Sequence, residues 1–490
     1  MIRRVALFAA GFAAIAAVGG TLGPAAALAA LAGLVLAPLM VLWPLIGLGI
    51  GIVFGVGIPV YAAANPEAGM PVSLTQVCGV LTIAGWLLWA IRRRIPPTYS
   101  PHMVPLAAFL GVMVLSAMVS ADRMESILGF ARLSRSLMFY FLVANLATDR
   151  RAVLATCAAL TIAVSISASL GIVEHFVPSF HTPTTDDVRA EAGVSVDEND
   201  TEVAGAEVID RASGATGEYN YLAYALATVL PLNLFWWRIG RGPGLRLLAL
   251  GLTVAQLLAM AFTYTRSGFI GVGVAVLYLV ARRRLPLAPL LALVLVAGVT
   301  APAWMPTGFF ERMFSVQYLK EGTTPIRREM LTEGLRMIRE RWLLGWGYGG
   351  FGPEFVDRSS SEYADALRLQ AEEGGEPMND IRCHNTYVEI GVEFGLLGLL
   401  PFLAFLWTVM RDLGAAGRAG DPSDADLAVA LQASLVAFVV CGFFGNNVLM
   451  KVLWVVAGLA AGLRRVVLGA EVPELGIAPP RPLRAARAGG

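Results

Sequence analysis

Long apolar runs separated by short polar punctuation dominate this chain. Reading them in order predicts spans near 5–20, 24–42, 44–63, 73–91, 103–120, 134–147, 152–170, 219–237, 245–263, 267–281, 286–304, 386–408, 427–446 and 448–463. Most are close to the ~20 apolar residues that a membrane-crossing helix needs. Pro44 and several glycines make 24–63 hard to divide, so twelve to fourteen spans fit the pattern. The first run follows Arg3 and Arg4 and looks like a signal peptide, but more apolar chain follows it at once, so an uncleaved first span is expected.

Composition agrees. The 490 residues are 57% hydrophobic and 15% charged, with a mean hydropathy of +0.66. Soluble domains carry about 45–50% apolar and about 25% charged residues. A soluble enzyme on a single anchor is excluded. With 37 basic against 36 acidic residues, nucleic acid is not an expected partner. The fold class expected is all-α: a polytopic bundle of transmembrane helices with a small helical cap.

Arginine sets the sidedness, because short loops rich in Lys and Arg stay cytoplasmic. Arg3 and Arg4 put the N-terminus inside. Counting fourteen spans, the inside loops hold Arg92–Arg93–Arg94, Arg150–Arg151, Arg238/Arg241/Arg246, Arg282–Arg283–Arg284, Arg411/Arg418 and Arg464–Arg465. Residues 1–470 then form one membrane domain, and 471–490 a cytoplasmic tail whose Arg481, Arg484 and Arg487 are placed to meet anionic membrane lipids.

Two long segments fall outside. Residues 171–218 are acidic, from Glu174 through Asp197–Asp200 to Glu218, and lack the spacing and glycine of a calcium loop. A solvated segment is expected. Residues 305–385 read as a folded cap. Thr324-Pro325 starts a helix that runs through Ile326, Met330, Met337 and Ile338 to Trp342 and ends at Gly345 and Gly347. Ser359 and Glu362 make a capping box for a second helix that stops at Gly374–Gly375. The four cysteines (Cys78, Cys157, Cys383, Cys441) and four histidines (His102, His175, His181, His384) form no metal-ligand spacing and no disulfide framework, so no metal and no cofactor is expected.

The chemistry-bearing residues cluster where outer segments enter spans. The first cluster runs from Arg211 to Asn220. The second is the turn Thr263-Tyr264-Thr265-Arg266-Ser267-Gly268. Arg266 lies there against the positive-inside preference, and two readings fit it: an arginine snorkelling at a helix end, or an anion site where backbone N–H groups add to the guanidinium. The third cluster is Cys383-His384-Asn385-Thr386-Tyr387, entering a span that carries Glu389 and Glu393 one turn apart, with Glu393 about 13 Å along the helix from His384. A carboxylate at that depth serves either a structural ion pair or a polar cavity. His384 alone fits an interfacial residue as well as a base. Arg211 has acidic neighbours, Asp210 and Glu218, that compete for it. Together the clusters set two arginines and a histidine on one face, chemistry suited to a lipid-linked phosphate or diphosphate with a base beside it.

The ordered motifs resemble the O-antigen ligase and polymerase superfamily of bacterial envelope glycosyltransferases. They are R-x-x-G…N (Arg211, Gly214, Asn220), T-x-T-R-S-G (Thr263 to Gly268), RREMLTEGLRMI followed by GWGYGGF (Arg327 to Phe351), and HNTYVEIGVEFGLLG (His384 to Gly398). The similarity covers roughly residues 70–465. It implies a GT-C-like membrane glycosyltransferase of the inner (cytoplasmic) membrane that takes a glycan from an undecaprenyl diphosphate carrier at the periplasmic face. The acceptor it implies is lipid A–core, another carrier-linked glycan or a protein. The resemblance implies metal-independent, inverting transfer in which Arg211 and Arg266 bind the diphosphate and His384 positions or deprotonates the acceptor hydroxyl. Asn220, Asn385, Arg327, Arg328 and Glu393 are further substrate-binding candidates, with a solvated helix face as the other reading of Arg327 and Arg328. A polysaccharide transporter or flippase is the competing function. It is expected to show paired repeats and a broken-helix site near the midplane, whereas these polar residues gather at one membrane edge.

Overall fold

The computed structural model describes residues 36–57, 74–94, 97–120, 122–177, 211–240, 242–287, 299, 309–310, 324–372 and 381–469. The expected first span, most of the acidic loop and of the 286–304 span, and the 471–490 tail lie outside these. Among the described residues the secondary structure is helical, with no strand. The helices are α1 (Pro44–Ile52), α2 (Leu74–Arg93), α3 (Met103–Val119), α4 (Arg123–Leu146), α5 (Arg150–Phe176), α6 (Tyr219–Ile239), α7 (Pro243–Phe262), α8 (Arg266–Ala281), α9 (Thr324–Glu340), α10 (Phe351–Arg358), α11 (Glu362–Glu372), α12 (Thr386–Ala419), α13 (Pro422–Cys441) and α14 (Lys451–Leu468). A π-helical turn, Val53–Gly57, extends α1.

Six of these helices (α4, α5, α6, α7, α12 and α13) are long and apolar enough to cross a membrane, and α3 and α8 are shorter apolar helices. The chain is therefore a multi-pass helical membrane protein. Small residues let the helices approach closely. Gly458 of α14 meets Val143 of α4, and Gly271 of α8 meets Cys441 of α13. One continuous core with Trp454, Phe405, Phe438 and Tyr224 at its centre runs through the bundle. A second, smaller core (Met330, Met337, Phe351, Phe355, Val356) belongs to the cap helices α9 and α10.

The arginine loops gather at one end, as the sidedness argument expects. Asp421 and Asp424 at the start of α13 take Arg150 at 3.0 and 3.2 Å. Asp426 takes Arg238 at 2.9 Å and Arg284 at 2.7 Å. The buried Asp412 lies 3.6 Å from both Arg411 and Arg464. The cap segment sits at the opposite end.

Several boundaries differ from the sequence expectation. The 134–147 span starts at Arg123, because Asp122 caps it by accepting from the Glu125 N–H. The 152–170 span runs to Phe176, which takes Glu174 out of the acidic loop and into a helix. Residues 442–450 leave the helix that was expected to reach 446. Helix α10 was not anticipated. At the start of α11, Ser361 Oγ accepts from the Ala364 N–H at 3.3 Å and Ser359 Oγ from the Ser361 N–H, while the Glu362 side chain of the expected capping box lies outside the described residues.

The largest departure is inside α12, which breaks at Gly395 (φ 62°, ψ −167°). The loop after α9 fills the gap. Leu396 N–H donates to Trp342 O at 2.7 Å, and Trp346 and Gly347 N–H donate to Val392 O and Glu393 O, both at 2.9 Å. A helix break needs such partners, because an unpaired buried backbone group is costly. The fit leaves no room for a side chain. A Cβ on Gly395 would lie 2.3 Å from Leu343 O, and one on Gly345 (φ 70°) 2.3 Å from Val392 O. Left-handed backbone costs an L-residue about 1–2 kcal/mol, and the overlap adds to it. We expect Gly395→Ala and Gly345→Ala to lower the Tm of the detergent-solubilised protein by several degrees. The exposed Gly273→Ala, with open space around it, should unfold near the wild-type Tm or above it, since Ala is the better helix former.

Candidate functional site

At the cap end the three sequence clusters converge. Glu174, buried near the end of α5, shapes the first. Its carboxylate accepts from the N–H groups of Ser213 and Gly214, both at 2.9 Å, and from Ser213 Oγ at 3.1 Å. Ala212 N–H donates to Phe262 O at the end of α7 at 3.0 Å. These bonds press residues 211–217 against the α7–α8 turn. Arg211 then donates through Nε to Thr263 O (2.9 Å) and through Nη2 to Thr265 Oγ1 (3.1 Å). Its guanidinium carbon lies 3.2 Å from the Tyr219 ring centroid, a cation–π stack. Thr265 Oγ1 also reaches Asn220 Oδ1 at 3.4 Å, and Asn220 Nδ2 reaches Glu218 at 3.4 Å. So Arg211, Asn220 and the residue before Arg266 share one network. Glu218 engages Asn220, and Asp210 lies outside the described residues.

Arg266 opens α8, next to the buried Ser267. Ser267 Oγ donates to the Tyr224 hydroxyl at 3.2 Å. That hydroxyl packs against Gly445, where a Cβ would come within 2.6 Å of it. Gly445 O in turn accepts from Thr386 Oγ1 at 2.8 Å. A continuous path of contacts thus joins the Arg266 turn to the start of α12, two residues after His384. Arg327, at the start of α9, lies near enough for its charge to act on the Tyr224 hydroxyl. Its Nε is buried without a hydrogen-bond partner among the described residues. Arg328, its neighbour, is exposed.

His384 is partly exposed, with φ 53°. Four non-glycine residues among those described adopt left-handed backbone, and two of them, Tyr264 and His384, lie in the turns of this site. Such backbone persists only where its surroundings hold it. Asn385 is the N-cap of α12. Its Oδ1 accepts from the N–H groups of Tyr387 and Val388, both at 3.1 Å, and its Nδ2 donates to Phe443 O at 3.2 Å. These contacts are structural.

Glu389 and Glu393 lie just below, buried. Arg382 donates to Glu389 at 3.1 Å, to Glu393 at 3.5 Å and to the Tyr348 hydroxyl at 3.2 Å. Glu393 also accepts from the Gly349 N–H at 2.7 Å, and Glu389 from Cys383 N–H at 3.2 Å and from Asn446 Nδ2. The fold pairs both carboxylates with Arg382, as the ion-pair reading expects. The two carboxylates, Tyr348 and Asn446 also line the polar wall of a small cavity whose other wall is apolar, including Phe109, Met113 and Leu133. Tyr221 on α6 lies between the clusters, within the electrostatic reach of Glu218, Arg382, Glu389 and Tyr348.

Sequence reasoning did not select Arg382, Tyr348, Tyr221 or Asn446. Arg382 reads as one charge in a polar loop. The signal for it was the unpaired Glu389/Glu393 couple one turn apart on a span, which demanded a cation. Burial opposes the charge on Arg382, but Glu389, Tyr348 and Glu393 outweigh burial and hold its pKa well above the ordinary guanidinium value. No group of three or more His, Cys, Asp and Glu side chains among the described residues is placed to hold a metal ion.

This geometry defines a class: a helical multi-pass membrane protein with a cationic and polar site at one end of the bundle. Residues 248–403, about a third of the chain, match the family model described as O-antigen ligase, which supports the resemblance to the O-antigen ligase/polymerase superfamily. The matched stretch takes in Arg266, Arg327, Arg328, His384, Asn385 and Glu393, while Arg211 and Asn220 precede it. No curated protein matches the chain significantly.

The thiol of Cys383 offers a check on the packing. Cys383 is 1% exposed, and burial, with Glu389 and Glu393 adding to it, pushes its pKa well above the ordinary thiol value. Thiolate is the reactive form. A raised pKa therefore suppresses reaction below it, and Cys383 should stay unlabelled by maleimide at pH 8 in the native protein and label on denaturation. Native labelling at Cys383 would contradict this packing.

Proposed function

We propose that this protein is a glycosyltransferase of the bacterial inner membrane. It transfers or polymerises glycan from an undecaprenyl diphosphate carrier at the periplasmic face, in O-antigen or exopolysaccharide assembly. The observation that carries the reading is the contact path from Arg266 through Ser267, Tyr224 and Gly445 to Thr386. It brings the arginine turn and the histidine segment of an O-antigen ligase-type domain to one end of the bundle. The gathering of the arginine loops at the far end supports a periplasmic site.

In this reading Arg266 and Arg211 take the diphosphate, with Arg327 approaching the same turn. The acceptor hydroxyl, positioned or deprotonated by His384, attacks the anomeric carbon from the side opposite the leaving group. The new glycosidic C–O bond forms as the bond to phosphate breaks, and its electron pair leaves with the lipid diphosphate. The hydroxyl proton passes to His384. Configuration inverts. Charge grows on the departing diphosphate, and preorganised guanidinium groups stabilise it without reorganising at the moment of reaction. Asn220 orients Thr265 beside Arg266. Asn385 and Glu393 serve the site by holding the start of α12, and Arg328 is placed to meet the glycan outside.

Polymerase and ligase share this chemistry and differ in acceptor. Nothing in the outer segments carries a lipid A–specific signature, and we favour a polymerase or general exopolysaccharide role. Purified protein in liposomes with carrier-linked glycan alone should then yield longer glycans. Product only when lipid A–core is added would identify a ligase. Glycan that crosses the bilayer without ever leaving its carrier would identify a transporter and end the enzyme reading. The break in α12 does not by itself favour the transporter, since the 342–347 loop fills the gap it leaves.

Arg266→Ala and His384→Ala should abolish transfer while expression persists. Arg266→Lys should rescue poorly, because an ammonium cannot reproduce the bidentate fork. Full activity in either alanine variant removes that residue from the mechanism, and full activity in Arg266→Lys removes the bidentate requirement.

A further inference from the structure

Arg382 is the cation that the two buried carboxylates of α12 share. The Glu389 and Glu393 side chains are 2% and 4% exposed, and Arg382 is 20% exposed. Through this triad three separate segments are tied together. Tyr348 and Gly349 come from the loop after α9, Arg382 and Cys383 from the segment before α12, and Asn446 from the turn after α13. A second ion pair, Arg132–Glu125 on α4, approaches the same Tyr348 ring. The guanidinium carbons of Arg132 and Arg382 lie 5.9 and 5.1 Å from its centroid.

His384 sits inside this frame. Arg382 is two residues before it. Cys383, immediately before it, gives its N–H to Glu389. Asn385, immediately after it, caps α12. Its own backbone is in a left-handed conformation that neighbouring contacts must enforce. Burying carboxylates away from water is costly unless a hydrogen-bonded cation lies beside them. Nη1 of the Arg382 guanidinium serves both carboxylates and Nη2 the Tyr348 hydroxyl; an ammonium has no second nitrogen to hold that hydroxyl in the same plane.

We propose that Arg382 is the positioning residue for His384: by holding Glu389, Glu393 and Tyr348 at once, it fixes the backbone that presents the imidazole. Only the kinetic part of the test rests on His384 acting in transfer.

The experiment uses the full chain in nanodiscs with 13C-labelled histidine. The His384 signal is assigned by its loss in His384→Ala. The signal of His102, buried against Asp412 at the far end, reports an intact fold. In Arg382→Lys the His384 signal should shift or broaden while the His102 signal stays. Transfer kcat should fall about tenfold or more, with the donor KM within about threefold of wild type. A shifted His384 signal with unchanged kcat upholds the positioning and sinks the catalytic reading of His384. An unmoved His384 signal in folded Arg382→Lys overturns the proposal, whatever the rate does. Should Arg382→Lys lose the His102 signal, the charge-balanced Arg382→Gln/Glu389→Gln variant gives the same reading.

Discussion

Two carboxylates buried at the end of a membrane helix are costly without a hydrogen-bonded cation beside them, and much of this site is arranged around that constraint. The desolvation penalty of ionised groups away from water is several kcal/mol per ion, recovered only by close, hydrogen-bonded partners. Glu389 and Glu393 therefore draw in Arg382, Asn446, the Cys383 N–H and the Gly349 N–H. Each partner comes from a part of the chain distant in sequence or outside the helix. Satisfying one electrostatic demand thus closes the cap loop, the segment carrying His384 and the turn after α13 onto one another.

A second constraint lies just below. Helix α12 breaks at Gly395, and the freed backbone groups pair with residues 342–347. The break and the ion cluster act on the same stretch of chain, so the loop rich in glycine after α9 is held from both sides. The arginine cluster is built differently. There, a buried carboxylate, Glu174, binds backbone N–H groups and sets the 211–217 turn against the turn that holds Arg266. Both halves of the site therefore depend on buried acids that accept main-chain hydrogen bonds, with Tyr221 and Tyr224 of α6 between them.

Much of this was legible beforehand. The spans follow from apolar run length, and the common end of Arg150, Arg238, Arg284 and Arg464 follows from the positive-inside rule. The candidate site residues Arg211, Arg266 and His384 stood out because charge at the membrane edge opposite the arginine loops is unexpected. What was missed had ordinary local context. Tyr221 and Tyr224 read as part of an apolar span, Glu174 as one acid among many, and Arg382 as a loop charge. Asn385 read only as a substrate-binding candidate, and the structure also makes it the N-cap of α12. The gap at Gly395 was hidden because a glycine within an apolar run is common in membrane helices.

By itself the sequence determined the environment of each segment, because transfer into a bilayer depends on local composition: which runs cross, which end holds the arginine loops, and which polar residues sit where they are costly. Only the tertiary structure decided how those polar residues are paired. Pairing depends on which distant segments meet, and a buried charge accepts whichever partner the packing brings within hydrogen-bond reach. Glu393 needed a cation on sequence grounds alone. That the cation is Arg382, two residues from His384, was settled by the fold.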